Sequence, residues 1–442
     1  MQDWLKMTAA DLGRGIARGE IGPVALTQTY LDAIDGHDLR DQIYARVTHE
    51  RAMAEAEAAE KRAKMKQRRS LLDGVPISWK DLFDTAGIVT EAGSALLHGR
   101  VPDMDAVVLK NATAMGTVCL GKTHMSELAY SGLGYNPVTD TPPNVNYPNA
   151  VPGGSSSGAA ASVAFDLAPA GIGSDTGGSV RVPSAWNDLV GLKTTAGRLT
   201  LEGVVPLVLK FDTIGPLCRS VEDAALLLAV MEGTPPANLK GASLQGRRFA
   251  ILRTLAFDDI REEPLKGFDA AVERLRDAGA MIEDIEIPEV AEANALSVNL
   301  FSPEAYGLWK DVIEANPDVM YSEILARFRL GAEVSAPDYV GSWAALEGLR
   351  VAYDRAASKY DAVLLPSSPI LPPDLERLKA DSDFYVSENL LTLRNTRIGN
   401  LMGLCGLTLP TGVPSCGLMM LGQPDMEEAL LRVGAAAEKV LA

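Results

Sequence analysis

Two serines and a lysine carry the chemistry this sequence can offer. Ser155 sits in Gly153-Gly154-Ser155-Ser156-Ser157-Gly158, and Ser179 closes Gly173-Ser174-Asp175-Thr176-Gly177-Gly178-Ser179, 24 positions further on. Glycine accepts backbone angles that other residues avoid, so such turns let main-chain N–H groups converge on one point. A converging N–H cluster beside a hydroxyl nucleophile is what acyl transfer needs, because the tetrahedral oxyanion must be met by fixed donors. The third residue is Lys80, at the end of the apolar run Gly74-Val75-Pro76-Ile77-Ser78-Trp79. A lysine in apolar surroundings loses the solvation of its ammonium, so its pKa falls and the neutral amine can act as a base. Residue types alone leave plainer readings open: two flexible surface loops, and a lysine facing water at a strand end.

Rival motifs fail on spacing. Neither glycine-rich turn ends in the Lys-Ser/Thr of a phosphate-binding loop, and Thr176 stands where a dinucleotide fingerprint needs its third glycine. Gly154-Ser155-Ser156-Ser157-Gly158 fits the nucleophile elbow of an α/β-hydrolase, with Ser156 in the nucleophile's place. That fold needs a histidine later in the chain, and all four histidines, His37, His49, His98 and His124, lie upstream. A serine–histidine hydrolase of that order is excluded.

The block from Pro152 to Leu199, PGGSSSGAAASVAFDLAPAGIGSDTGGSVRVPSAWNDLVGLKTTAGRL, resembles the core of the amidase signature family. GVPISWKDLFDTAG from Gly74 resembles the family's lysine motif, and the likeness extends to Asp212-Thr213-Ile214-Gly215-Pro216 and to Tyr360 through Pro369. The resemblance implies an α/β/α sandwich around a large mixed β-sheet. It implies Ser179 as nucleophile, Ser155 as bridging serine after a cis Gly154–Ser155 peptide, and Lys80 as base. It assigns the oxyanion hole to the N–H groups of Thr176, Gly177, Gly178 and Ser179. Ala129, Tyr130 and Tyr135 fall in a stretch that lines the acyl pocket in the family, and Ser156 is a further pocket candidate. Asp175 and Arg181 match the motif and are read as bracing the turn through charge-assisted hydrogen bonds. Ala185-Trp186-Asn187-Asp188 departs from the Ala-Phe-Cys-Gly run of many relatives. The implied activity is hydrolysis of a small-molecule amide, urea or carbamate-like substrate through an acyl-enzyme, without metal or organic cofactor. One branch of the family works instead as the glutamine-dependent A-type subunit of an amidotransferase, with partner subunits. A homodimer is left open.

The elements that must position these residues follow from pattern and composition. With 442 residues, 47% of them hydrophobic and 22% charged, the chain can bury a large core. A net charge of −17 argues against nucleic-acid or anionic-membrane partners. Four scattered cysteines without metal-ligand spacing read as reduced thiols of a cytoplasmic protein. No apolar run reaches the ~20 residues that span a bilayer, and the N-terminus lacks a secretory pattern. Helices are predicted from Thr8, from Pro23 to about Ile34, over Arg46–Arg69 and over Asp103–Met115. The run Gly74–Lys80 reads as a strand, as does Val118–Lys122, and Ala168–Ile172 is a short apolar run. Ser156–Asp166 reads as a helix, and the five prolines between Asn136 and Pro152 predict an irregular loop. Further on, strands at Arg248–Leu252 and Met281–Ile287 flank a helix at Pro264–Ala278. Glu289–Ala357 is mostly helical, Tyr360–Pro366 is a strand, and Asp425–Leu441 closes the chain as a helix. The organisation expected is one domain over 1–442. Its parts are a helical region at 1–70, a catalytic core at 71–235, a variable, largely helical region at 240–357 that often covers the site's mouth in relatives, and the rest of the core at 358–442.

Overall fold

The computed structural model describes residues 2–441, and its centre is one eleven-stranded mixed sheet. In chain order the strands are β1 Tyr44–Val47, β2 Pro76–Lys80, β3 Val118–Thr123, β4 Ala170–Ser174, β5 Val190–Lys193 and β6 Ile214–Cys218. They continue as β7 Arg248–Leu252, β8 Met281–Ile285, β9 Ala362–Pro366, β10 Cys405–Pro410 and β11 Gly417–Gly422. The spatial order is β1-β3-β2-β4-β6-β5-β10-β11-β9-β7-β8. β2 lies parallel between β3 and β4, and β4 to β11 pair antiparallel through β6, β5 and β10. Successive residues of a strand point to opposite faces, and every residue of β2, β3, β4, β5, β6, β9 and β11 is buried. Both faces of the sheet are therefore covered by helices, which is the α/β/α sandwich that the resemblance implied. The outermost strand β8 is largely exposed and carries Glu283 and Asp284, charges that blunt an open edge.

Local chemistry explains most element ends. Thr8 caps the first helix by accepting from the Asp11 N–H, and Pro23 opens the second at the first-turn position where its missing N–H costs nothing. Ser220 caps Val221–Glu232, which ends on Gly233 with left-handed backbone. Four expectations need correction. The stretch Arg46–Arg69 is not one helix. Its start belongs to β1, because Tyr44 is buried with its hydroxyl 2.7 Å from Ser78 Oγ and the strand pairs with β3; the helix spans only His49–Lys64. The helix expected from Asp103 begins at Val107, since the Asp105 carboxylate accepts from Ala86 N–H and Arg51 and is held out of a first turn. The strand expected to reach Ile287 ends at Ile285. The last is an omission. Ser382–Leu401 is a twenty-residue helix in which Thr392–Leu401 are all buried, among them Arg394, Asn395, Arg397 and Asn400. A helix surrounded on all sides, with polar side chains on buried positions, has no apolar stripe to betray it.

Candidate active site

β2 and β4 lie side by side, with Ser78 opposite Gly171 and Trp79 opposite Ile172, so Lys80 at the end of β2 meets the turn that leaves β4. Lys80 is fully buried. Its ammonium donates to Ser155 Oγ at 2.7 Å and to Ser174 Oγ at 2.8 Å. Burial pushes its pKa down to about 7, against the opposing pull of the carboxylates of Asp212 and Asp175. The nearer acids in sequence are occupied elsewhere: Asp81 faces Lys122, and Asp84 is bound by Arg100.

Ser155 lies just before helix Ser157–Ala164 and follows a cis Gly154–Ser155 peptide. The Ser156 N–H donates to the Ser179 carbonyl at 3.3 Å, which brings the two glycine-rich turns together. Ser179 lies on the wall of a cavity of about 280 Å³, and its hydroxyl makes no hydrogen bond to a described residue. No hydrogen bond joins it to the Ser155 hydroxyl.

The turn from Asp175 to Ser179 is fastened at several points. Asp175 is fully buried and binds Arg181 through Nε at 2.9 Å and Nη2 at 2.8 Å, with Asn400 Nδ2 donating at 3.0 Å. These cations and donors hold its carboxyl well below the usual carboxylate range, although burial alone would raise it. Thr176 Oγ1 donates to Asp212 Oδ1 at 2.5 Å, and Thr396 Oγ1 donates to the Gly177 carbonyl at 2.8 Å. Burial pushes Asp212 up to about 6, even with N–H donors from Leu207 and Val208 on its second oxygen. Gly178 has φ of +139°, and a Cβ there would stand 2.0 Å from Thr396 Oγ1. With the turn fixed this way, the N–H groups of Thr176, Gly177, Gly178 and Ser179 donate to no described acceptor. Four adjacent N–H groups thus stay free of partners beside a serine hydroxyl, and of these residues Thr176, Gly177 and Ser179 line the cavity while Gly178 does not.

Among the pocket candidates, Ala129 and Tyr130 line the cavity together with Thr176, Gly177 and Ser179. Tyr135 stands away from it, in edge contact with Tyr321 and Tyr385. The Ser156 hydroxyl is turned to Ser174, donating to its carbonyl at 3.3 Å, and is absent from the wall. His124 is buried with Nε2 3.0 Å from the Asp41 carbonyl, outside the cavity. Sequence reading missed Ser174, Asp212, Thr396 and Arg397. Ser174 and Asp212 lie inside the motif blocks but carry no distinguishing type, and the other two belong to the unforeseen helix.

A family model described as Amidase matches residues 25–431. The chain belongs to the amidase family. It is 32% identical over 473 residues to a glutamyl-tRNA(Gln) amidotransferase subunit of Anaeromyxobacter dehalogenans, an alignment covering 98% of this chain and 95% of that protein. Identity is also 32%, over 449 residues, to 2-amino-5-chloromuconic acid deaminase of Comamonas testosteroni, covering 98% and 96%. The crystal structure of the peptide amidase of Stenotrophomonas maltophilia superposes with a TM-score of 0.82 at 27% identity, covering 98% of this chain and 96% of that one. The amidase fold thus extends along the whole chain, including the helical segment that separates β8 from β9.

Proposed function

We propose that this amidase-family chain hydrolyses the carbon–nitrogen bond of a small-molecule amide through an acyl-enzyme on Ser179. The observation that carries the reading is the fully buried Lys80 hydrogen-bonded to Ser155, with four unpaired N–H groups beside Ser179. In its neutral form Lys80 accepts a proton, and its contact with Ser155 reverses direction: the Ser155 hydroxyl then donates to Nζ. Ser155 in turn takes the Ser179 proton as Oγ of Ser179 attacks the carbonyl carbon. The missing Ser155–Ser179 hydrogen bond closes on substrate binding, as catalytic contacts often do. The oxyanion accepts from the N–H groups of Thr176 to Ser179. Collapse breaks the C–N bond, and the proton held by Lys80 returns through Ser155 to the leaving amine. Water then attacks the acyl carbon and restores Ser179, with Lys80 again accepting the proton. A fluorophosphonate should label Ser179, and Ser179→Ala should lose both labelling and turnover. Labelling that moves to Ser155 or Ser156 without loss would overturn the assignment.

The 32% identity to a glutamyl-tRNA(Gln) amidotransferase subunit favours a second reading: release of ammonia from glutamine for a partner subunit. The same residues would serve. Purified chain that frees ammonia or amine from a panel of amides and ureas, unaided, supports the hydrolase. Turnover restricted to glutamine, and present only with a companion subunit, supports the amidotransferase.

A further inference from the structure

The cavity beside Ser179 holds two guanidinium groups for which acyl transfer has no use. Three arginines of this chain are buried. Arg181 is bound by Asp175 and Asn400, and Arg394 donates to Asn395 Oδ1 and the Ala256 carbonyl. Arg397, only 8% exposed and on the cavity wall, donates to no described residue and pairs with no carboxylate. Arg327 lines the same cavity from helix Ser322–Arg329. Its Nη1 donates to the Tyr130 carbonyl at 3.0 Å, and its guanidinium lies 4.4 Å from the Tyr130 ring centre, again without a carboxylate partner among the described residues.

A buried guanidinium has given up its water and regains the loss only from acceptors. For Arg397 no such acceptor is present among the described residues and the neighbour is a like charge, whereas the half-buried Arg327 has the Tyr130 carbonyl. Burial and then Arg327 push the Arg397 pKa down to about 10. The acid on the wall, Glu323, accepts from Ser382 Oγ at 2.6 Å and leaves the charge of the lining positive, with two cations against one anion. Much of the remaining wall is apolar, with Leu207, Phe301, Ile324 and Leu393 closing round a space suited to a small organic molecule. An ordinary neutral amide would leave the Arg397 guanidinium without a counter-charge.

We propose that the substrate carries a carboxylate besides the scissile amide, and that Arg397, with Arg327 beside it, holds this carboxylate while Ser179 faces the amide. The substrate class is then the monoamide of a small dicarboxylic acid or a close relative. This inference rests on the acyl-transfer reading of Ser179. The fork of an arginine matches a carboxylate through two parallel hydrogen bonds, which fixes both orientation and distance to the reacting carbon.

The test uses the full chain and needs no natural substrate. Ser179 is labelled with a neutral fluorophosphonate in the presence of succinate, glutarate or adipate, and separately with the corresponding diamides. At least one dicarboxylate should slow labelling about fivefold or more where its diamide does not, and Arg397→Met should abolish that protection while Arg397→Lys keeps part of it. In turnover, the ratio of kcat/KM for glutaramic acid over pentanamide should fall on the order of 10- to 100-fold in Arg397→Met. Equal protection by acid and diamide in the wild type overturns the inference, as does protection that survives in Arg397→Met. The wild-type comparison stands even if the variant does not fold. A wild-type Ser179 that takes no label at all refutes the acyl-transfer reading instead, so the two failures are distinguishable.

Discussion

In the acyl-transfer reading proposed above, the acid–base behaviour of Lys80 sets the rate. Its pKa is lowered to about 7, so the neutral amine forms as pH rises through that value. The acylation rate should climb about tenfold per unit below pH 7 and level off above it, read from the burst of amine release in a pH series. Lys80→Arg should remove that limb and nearly all activity, because a guanidinium keeps its proton across this range. Ser174 accepts from Lys80 at 2.8 Å and so helps fix the direction of the amine's lone pair. Ser174→Ala should lower kcat/KM roughly tenfold while leaving the pH limb at or below its wild-type position; an unchanged rate would show that Ser155 alone orients the amine. Lys80, Ser155 and Ser179 were legible through the long glycine–serine block and the lysine motif that resemble the family's, since their residue types alone left a surface lysine and two flexible loops open. Ser174 and Asp212 were not. Their parts come from register and burial, since β4 delivers Ser174 beside β2 and the Asp212 carboxylate faces Thr176 only once the sheet has formed.

At the scale of elements, the turn from Asp175 to Ser179 depends on a helix more than two hundred residues away. Thr396 and Asn400, both on Ser382–Leu401, bind the Gly177 carbonyl and Asp175. Gly178 leaves no room for a side chain against Thr396 and adopts a φ that L residues avoid. Gly178→Ala should therefore cost about 2–4 kcal/mol in urea denaturation and reduce turnover by more than about a hundredfold. Adding Thr396→Ser to Gly178→Ala should recover little, because the hydroxyl that meets the new Cβ remains. Strands and amphipathic helices could be anticipated from period and punctuation, as with Pro76–Lys80 and Glu262–Asp277. Ser382–Leu401 could not, since its buried half carries Arg394, Asn395 and Asn400, whose partners come from the 256 loop, the β9 end and Asp175.

For the whole molecule, two buried charges both make stability rise with pH, each in its own window. Asp175 titrates below its unfolded value of 3.8, so the Asp175–Arg181 pair stabilises the fold above that pH and the contribution is lost as pH falls through 3.8 and lower. Asp175→Asn, which leaves Arg181 buried without its counter-charge, should cost about 3–5 kcal/mol at neutral pH, measured as a lower urea midpoint. Lys80 acts in the same sense at higher pH. Its pKa falls from 10.5 unfolded to about 7 folded, so the cost of burying its charge is full below pH 7 and fades between about pH 7 and 10.5. Wild type should gain stability relative to Lys80→Met across that window; Lys122 and Lys193, also lowered by burial, remain in both proteins and cancel in the comparison. The general architecture followed from alternating strand and helix signals and from the long glycine–serine block, whereas the order of eleven strands depended on pairings that no local pattern encodes. The groups assigned to bond breaking come from residues 80–179, whereas Phe301, Ile324 and Arg327 on the cavity wall come from the helices that run between β8 and β9. Bond breaking and this part of the cavity wall are thus written in separate stretches of the gene, with Arg397 in a third. A lineage, or an engineer shuffling residues 288–357 between homologues, can change what such a protein feeds on while its reactive centre is inherited intact.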